Sequence, residues 1–209
     1  MKMDNKNIAN NKINAPYEYY KNVFSQKDPL SMSNSSNVEF SEGRFCFRML
    51  SKEIFLLWPD MNAVYADGND AGKSKAILLA RLVMQGRITS FSGRFLAYRQ
   101  MPWGSVYERQ FDGRCVKRLA YTYGRNLELF KKACSAIGGT ACGKADASFD
   151  IEFLNGLFLR FLLWEADEEF PPNAQILFSD NFENAFNAED MAILVEIVIN
   201  DMKNIVNNL

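Results

Sequence analysis

The sequence predicts an α+β fold in which a mainly antiparallel sheet packs against several helices, the last of them long. Pairs of apolar runs separated by short polar turns indicate hairpins, and Asn155-Gly156 is a strong signal for a two-residue turn between antiparallel strands. Apolar residues at helical spacing between 188 and 206 predict the long C-terminal helix. An all-parallel sheet would need a crossover helix between most strands, and too few helices are predicted.

The elements follow from local signals along the chain. The predicted strands are 44–48, 53–58, 91–100, 105–111, 148–153, 157–164 and 175–178. The predicted helices are a short one from Pro16, then 73–85 ended by Gly86, 127–137 ended by Gly138, and 188–206 capped by Asn187. A polar loop is expected over 31–37. Residues 1–15 are rich in Asn and Lys and predict a disordered tail, which leaves 16–209 as a single domain.

Composition restricts the class of partner. The net charge of -1 gives no reason to expect nucleic acid or an anionic membrane surface. No apolar run reaches the roughly 18–20 residues of a membrane span, and the N-terminus lacks the apolar core of a signal peptide. A soluble, cytoplasmic protein is therefore expected, with a small molecule or another protein as its partner.

Charge is unevenly distributed along the chain. The stretch 81–132 carries eleven Lys or Arg against three acids, whereas 145–209 carries thirteen acids against two basic residues. The simpler interpretation is that the two regions are neighbours in the fold and partly neutralise each other. The alternative is a basic surface that binds an anionic ligand or partner.

Histidine is absent, and this excludes Ser-His-Asp and Cys-His catalysis and His-based zinc sites within the chain. The four cysteines contain no C-x-x-C pair, so free thiols are expected. Gly68 to Lys73 is one residue too short between its glycines for a phosphate-binding loop. The same stretch has Leu78 where a calcium loop needs a bidentate Glu, so an ordinary turn is expected. No metal ligand set and no cofactor are assigned.

An acidic turn after the strand 157–164 is the first candidate site. Four carboxylates fall within five residues, at Glu165, Asp167, Glu168 and Glu169. Crowded carboxylates can serve as general acid or base, or gather a divalent cation. The alternative is a solvated turn that keeps strand edges unpaired. The solvated turn is the simpler interpretation, but Pro171-Pro172, which stiffens the exit, and the flanking Trp164 and Phe170 give the functional one more weight than an ordinary run of charges has.

An aromatic turn is the second candidate. Tyr98, Arg99, Trp103 and Tyr107 could stack a planar ligand and pair with its carboxylate or phosphate. Aromatic residues in such turns also serve in plain core or rim packing, and the sequence leaves both interpretations open.

These two segments carry a family resemblance. The pattern Arg-x-Met-Pro-Trp-Gly-x-x-Tyr over 99–107, the stretch 163–180 and Ala188-Glu-Asp190 resemble a family of uncharacterised bacterial and archaeal proteins, a domain of unknown function. The resemblance covers the chain from about Tyr17 onward. It implies a setting in anaerobes with corrinoid-dependent one-carbon metabolism. Some members carry a cysteine-rich iron–sulfur segment that this chain lacks, and the family offers no catalytic residues to carry over.

Two functional hypotheses follow. The first is a non-catalytic ligand- or partner-binding accessory protein, linked to anaerobic cofactor or one-carbon metabolism, whose ligand meets the aromatic and acidic turns together. The second is a histidine-free enzyme in which Asp167, Glu168 or Glu169 is acid/base or metal ligand, assisted by Arg99 or Tyr107. The first is favoured, because the sequence contains no assembled triad, phosphate cradle or metal cluster.

Overall fold

The computed structural model describes residues 5–207, which divide into two compact units. Within the described part, the first unit covers 5–48 and 52–88, and the second covers 49–51 and 89–207. The sequence had predicted one domain over 16–209. Every strand pair in the described part is antiparallel, and helices accompany the strands in both units, which confirms the predicted α+β class.

The first unit combines three helices with a small antiparallel sheet. Its elements are α1 (Asn5–Ser25), α2 (Pro29–Ser36), β1 (Phe40–Ser41), β2 (Arg44–Met49, whose last residue is assigned to the second unit), β3 (Lys52–Leu57), β4 (Asn62–Tyr65) and α3 (Lys73–Gln85). The strands lie in the order β4-β3-β2, with β1 paired to β2. The predicted hairpin of β2 and β3 and the predicted helix over 73–85 are confirmed, whereas β4 was not predicted.

Helix α1 begins at Asn5, inside the stretch expected to be a disordered tail, and residues 1–4 lie outside the described part. Pro16 is an interior residue of this helix rather than its start. Contacts distant in sequence hold the segment. The Lys73 ammonium donates to Asn14 Oδ1 at 2.9 Å and lies 4.7 Å from the centre of the Tyr17 ring. Such tertiary contacts override the weak local preference of an Asn- and Lys-rich stretch.

Helix α2 replaces the polar loop expected over 31–37, so that prediction was wrong. The Asp28 carboxylate accepts a hydrogen bond from the Ser31 N–H at 2.8 Å, and Pro29 occupies the first helical position. Asn37 ends the helix in the left-handed conformation, with φ of 58°. The serines of this segment led to the prediction of a loop, although residues that start and end a helix are present on both sides.

The turn before α3 is an ordinary turn, as predicted. Asp67 Oδ1 accepts the Asn69 N–H at 3.0 Å, and Asp70 Oδ1 accepts the Gly72 N–H at 3.0 Å. Each carboxylate is therefore engaged by the backbone of its own loop. The Lys73 ammonium, bound to Asn14, does not turn back over this loop in the manner of a phosphate-binding lysine.

The second unit holds a five-stranded antiparallel arrangement and the long C-terminal helix. Its elements are β5 (Phe95–Ala97), α4 (Gly104–Phe111), α5 (Lys117–Tyr123), α6 (Leu127–Ala136), β6 (Thr140–Ala141), β7 (Ala147–Leu154), β8 (Leu157–Trp164), β9 (Asn173–Ser179), α7 (Phe182–Ala185) and α8 (Ala188–Asn207). The strand order is β6-β7-β8-β9-β5.

Three sequence predictions are confirmed in this unit. Asn155 and Gly156 both have positive φ, 41° and 83°, and join β7 to β8 in the predicted hairpin. Helix α6 ends one residue before the predicted 137. Helix α8 begins where predicted, and Asn187 Oδ1 caps it by accepting the Asp190 N–H at 2.9 Å.

The predicted strand 105–111 is wrong, because this segment is helix α4. The predicted strand 91–100 shrinks to β5, which a 3₁₀ turn at Tyr98–Gln100 follows. A π-helical turn, Asp112–Val116, then joins α4 to α5. In this helix Phe111 is buried and stacks on Tyr98, whereas Val106 and Tyr107 are exposed.

The two oppositely charged stretches of the chain do meet in this unit. The Arg114 guanidinium donates two hydrogen bonds to the Glu196 carboxylate of α8, from Nε to Oε1 at 3.0 Å and from Nη2 to Oε2 at 2.8 Å. Arg94 binds Asp180 at 3.2 Å. Both pairs join a basic residue of 81–132 to an acid of 145–209, which confirms that these regions are neighbours and partly neutralise each other.

All four cysteines are free thiols. No helix in the described part is long and apolar enough to cross a membrane.

Asp180 should make the stability of the protein sensitive to acid. Hydrogen bonds from the Ser92 hydroxyl and N–H, together with the Arg94 guanidinium, lower the pKa of Asp180. Since the pKa in the folded state lies below the unfolded value of about 3.9, the stabilisation is complete above pH ~4 and is lost as the pH falls through the folded pKa. We expect Asp180→Asn to flatten the decline of unfolding free energy below pH ~4, as measured by urea denaturation at a series of pH values.

Glu183→Gln is the matched control for this prediction. Glu183 is an exposed acid on α7, and its side chain has no hydrogen bond or salt bridge within the described residues. The control should keep the wild-type acid slope. An unchanged slope in Asp180→Asn would contradict the prediction.

Candidate functional site

The acidic turn is the loop that joins β8 to β9. The two strands remain paired up to Trp164 and Asn173, and the chain leaves the sheet at Glu165. The alternation of β8 therefore does not continue into the turn, and its carboxylates are not sorted onto two faces of a strand. Their positions depend on hydrogen bonds within the loop.

Asp167 holds the turn together. Its Oδ1 accepts hydrogen bonds from the Glu169 N–H at 2.8 Å and the Phe170 N–H at 2.6 Å. The Asp167 N–H donates in turn to the Phe170 carbonyl oxygen at 3.1 Å. One oxygen of this carboxylate thus caps the loop, as Asp side chains commonly do in turns.

Two distant segments fix the ends of the turn. The Glu165 N–H donates to Asp146 Oδ2 at 2.9 Å, and the Ala166 N–H donates to the Gly124 carbonyl oxygen at 2.8 Å. Pro172 is buried against Gly124, so closely that a Cβ at residue 124 would lie 2.3 Å from the Pro172 Cβ. The turn therefore has a defined shape.

A cleft of about 560 Å³, which we call the acidic cleft, opens beside this turn. Carboxylates, aromatic rings and prolines line it: Asp146, Trp164, Glu165, Asp167, Phe170, Pro171, Pro172 and Asn173. Phe170 is 65% exposed at its edge. The volume falls within the range of small-molecule sites.

The glutamates of the turn lack basic partners. Within the described residues, the side chains of Glu165, Glu168 and Glu169 make no hydrogen bond or salt bridge. Glu168 and Glu169 are exposed and do not line the cleft. Nor do the described residues contain any group of three His, Cys, Asp or Glu side chains placed to hold a metal ion. The negative charge of the turn is left uncompensated.

Tyr98, the first residue of the aromatic turn, belongs to the core. Its ring stacks on Phe111 with centroids 4.0 Å apart and planes 6° apart, and its hydroxyl donates to the Ala188 carbonyl oxygen at 2.8 Å. Burial raises the pKa of Tyr98 to about 12. The hydroxyl is thus bound to the first residue of α8, and the ring is packed in the core.

Trp103 and Tyr107 lie on the outside of the molecule. Trp103 is 74% exposed and has a left-handed backbone, with φ of 64°, an uncommon conformation for a bulky residue. Tyr107, one helical turn further along, is 41% exposed. Neither side chain therefore stacks within the fold.

A second cleft of about 300 Å³ lies between α4 and β9, and we call it the α4–β9 cleft. Tyr98 and Arg99 line it together with residues of the helix, the π-helical turn and the strand: Ala97, Glu108, Phe111, Asp112, Val116, Ala174, Gln175 and Ile176. It shares no lining residue with the acidic cleft. The structure brings Tyr98 and Arg99 to one cleft and Trp164 and Asp167 to the other.

Sequence reasoning missed three charged residues of these clefts. Asp146 was not singled out, although it precedes a strand paired with the one that ends at Trp164. Glu108 lay inside the mistaken strand over 105–111, and Asp112 directly followed it. If a helix had been predicted there, Glu108 and Asp112, four residues apart, would have been expected on one face of it.

Residues 28–201 match the family described as "Domain of unknown function (DUF3786)". Comparison with curated proteins and with solved structures gives no match. This match spans more than half of the chain. The chain therefore belongs to this family, and the resemblance found in the sequence is confirmed.

Proposed function

We propose that this member of the family is a non-catalytic binding protein, and that its acidic cleft receives an ammonium or guanidinium group of a ligand or protein partner. The observation that carries the proposal is the combination of uncompensated carboxylates with aromatic and proline walls in one shaped cleft.

Electrostatics support a cationic occupant. Glu165 lines the cleft without a basic partner among the described residues, and Glu168 and Glu169 add charge nearby. A cleft lined by one sign of charge between low-dielectric walls concentrates the field and attracts the opposite charge. The faces of Trp164 and Phe170 add a cation–π contribution of about 0.5–2 kcal/mol where the cation lies over a ring.

The role of Asp167 supports binding rather than catalysis. A general base needs its oxygen within hydrogen-bond reach of the proton that it removes. One oxygen of Asp167, Oδ1, accepts two backbone N–H groups, so this carboxylate has a role in shaping the loop. A recognition surface needs only a fixed shape and charge, and this turn has both.

The same charges favour a small molecule or protein as the partner over nucleic acid or an anionic membrane, whose phosphates the acidic cleft would repel. A cytoplasmic location is part of this proposal, and the free thiols fit it. An accessory role in anaerobic cofactor or one-carbon metabolism is what the family resemblance implies.

Titration with two short peptides tests the proposal. One contains Lys and Arg between blocked ends, and the other carries Gln at the same positions. We expect the basic peptide to shift the Trp164 indole N–H resonance in a ¹H–¹⁵N NMR spectrum at millimolar concentration, and the neutral peptide to leave it in place. Added salt should weaken the effect, because it screens exposed charges.

Matched variants make the test specific. Glu165→Gln keeps the size of the side chain and its backbone hydrogen bond to Asp146, and should weaken binding several-fold. Glu183→Gln, on α7 away from the cleft lining, should bind as the wild type does. Equal shifts with both peptides, no shift at all, or no effect of Glu165→Gln would each overturn the proposal.

A further inference from the structure

We infer that the α4–β9 cleft is a second site, independent of the acidic cleft, and that it binds a small zwitterion: an α-amino acid with an apolar side chain. Three features of this cleft support the inference: its unpaired charges, its apolar lining and the irregular backbone beside it.

Opposite charges line the cleft without satisfying each other. Arg99 comes from the 3₁₀ turn after β5, and Glu108 comes from α4. Within the described residues, neither side chain has a hydrogen bond or salt bridge. Asp112, the remaining charge of the lining, pairs with Lys117 at 3.2 Å. A cation and an anion held apart in one cavity complement a ligand that carries both charges.

The chemistry of each group specifies its counterpart. A guanidinium presents parallel N–H donors that match the two oxygens of a carboxylate. A glutamate carboxylate accepts hydrogen bonds only, so it suits an ammonium group. Gln175 of β9, which also lines the cleft, offers both donors and an acceptor to fix the ligand's orientation.

The floor between these charges is apolar. Tyr98 and Phe111 line it with their rings stacked and almost fully buried, and the Tyr98 hydroxyl is already bound to the Ala188 carbonyl oxygen. Val116 and Ile176 complete the apolar lining. A volume of about 300 Å³ lies at the lower end of the range for small-molecule sites, which fits an amino acid rather than a nucleotide or a larger cofactor.

The backbone around the cleft departs from regular structure at two places. The π-helical turn Asp112–Val116 interrupts the helix and supplies Asp112 and Val116 to the lining. Trp103 adopts the left-handed conformation immediately before α4. Single π-turns within helices occur frequently at functional sites, and strained residues persist there because the surrounding structure enforces them.

The experiment compares l-leucine with two derivatives that each lack one charge. N-acetyl-l-leucine has no ammonium group, and l-leucinamide has no carboxylate. We expect calorimetric titration of the wild type to show saturable binding of l-leucine and at least about tenfold weaker binding of each derivative, a loss of 1.4 kcal/mol or more. NMR shifts should centre on the side-chain amide of Gln175 and leave the Trp164 indole in place.

Single substitutions then assign the two charges. Arg99→Gln should weaken l-leucine binding and leave the weak binding of l-leucinamide unchanged, because l-leucinamide has no carboxylate for Arg99 to bind. Glu108→Gln should also weaken l-leucine binding but leave the weak binding of N-acetyl-l-leucine unchanged, because that derivative has no ammonium group. Arg109→Gln is the control, because Arg109 is an exposed arginine of α4 that does not line the cleft. It should bind like the wild type.

Three results would overturn the inference. The first is no binding of l-leucine, l-valine, l-methionine or l-phenylalanine at millimolar concentration. The second is equal binding of l-leucine and one of its derivatives, which would reveal a site for a single charge. The third is an Arg109→Gln variant as impaired as Arg99→Gln. Since the Trp164 resonance reports on the acidic cleft alone, failure here leaves the proposed function to its own test.

Discussion

Gly104→Ala is expected to destabilise the second unit by about 3 kcal/mol, because a side chain at this position meets backbone. A Cβ on residue 104 would lie 1.8 Å from the carbonyl oxygen of Tyr98 and 2.8 Å from its carbonyl carbon. Backbone atoms cannot rotate aside as a flexible side chain can. The chain would have to separate the 3₁₀ turn from the start of α4, where the Gly104 N–H donates to the Met101 carbonyl oxygen at 2.9 Å.

Gly113→Ala provides a control of opposite sign. Gly113 lies in the π-helical turn, and a Cβ there meets nothing within 4 Å. Replacing a helical glycine with alanine removes backbone entropy from the unfolded chain, so this variant should gain about 0.5–1 kcal/mol. Amide hydrogen exchange of β8 and β9 reports the opening free energy of this unit. Equal stabilities of the two variants would contradict the prediction.

Gly104→Ala also links packing to the α4–β9 cleft. A shift of Tyr98 would disturb its stack on Phe111, which forms part of the cleft floor. Amino-acid binding should therefore fall in this variant and persist in Gly113→Ala.

The elements that the sequence predicted are those with complete local signals. Asn155 and Gly156 supply both left-handed residues of a hairpin turn, and no distant contact is needed to form it. Helices α6 and α8 have Asn caps and a consistent apolar face, so their starts and lengths could be predicted.

Helix α4 was missed because its apolar residues do not form one buried stripe. Val106 and Tyr107 are exposed, whereas Phe111 is buried, so the usual helical spacing of core residues is absent. Val106, Tyr107 and Phe111 also have strong strand propensity, which favoured the mistaken strand. The start of helix α1 was predicted too late, at Pro16, for a different reason: Asn14, which precedes that position, is bound by Lys73, far along the chain.

The two candidate sites differ in the same way: one was visible in the local sequence and the other was not. The residues of the acidic turn are consecutive, so their crowding was visible in the sequence. The other residues that line the α4–β9 cleft with Arg99 come from separate segments of the chain. The position of β9 beside the cleft depends on its register with β8, which pairs Leu162 with Gln175. Register depends on packing of the whole sheet and cannot be deduced from the residues of one strand.

Phe178→Ala is expected to cost the second unit about 3–5 kcal/mol, the range for removing a large aromatic side chain from a core. Phe178 is fully buried in β9, and its ring lies 5.2 Å from that of Phe182, 5.8 Å from that of Phe111 and 6.1 Å from that of Tyr98. These rings come from four different segments. They cannot close around the space that alanine leaves without moving the sheet, so the variant should keep most of the cavity.

The measurement is again the opening free energy of β8 and β9, with Phe170→Ala as the matched control. Phe170 is the same residue type on the acidic turn, 65% exposed, and its removal should change stability by about 0.5 kcal/mol or less. Phe178→Leu should recover part of the loss, since it refills much of the cavity. Because Phe178 supports the Tyr98–Phe111 stack from below, Phe178→Ala should also weaken amino-acid binding, whereas Phe170→Ala should weaken binding of the basic peptide alone. Equal losses of stability in the two alanine variants would show that Phe178 does not hold this core.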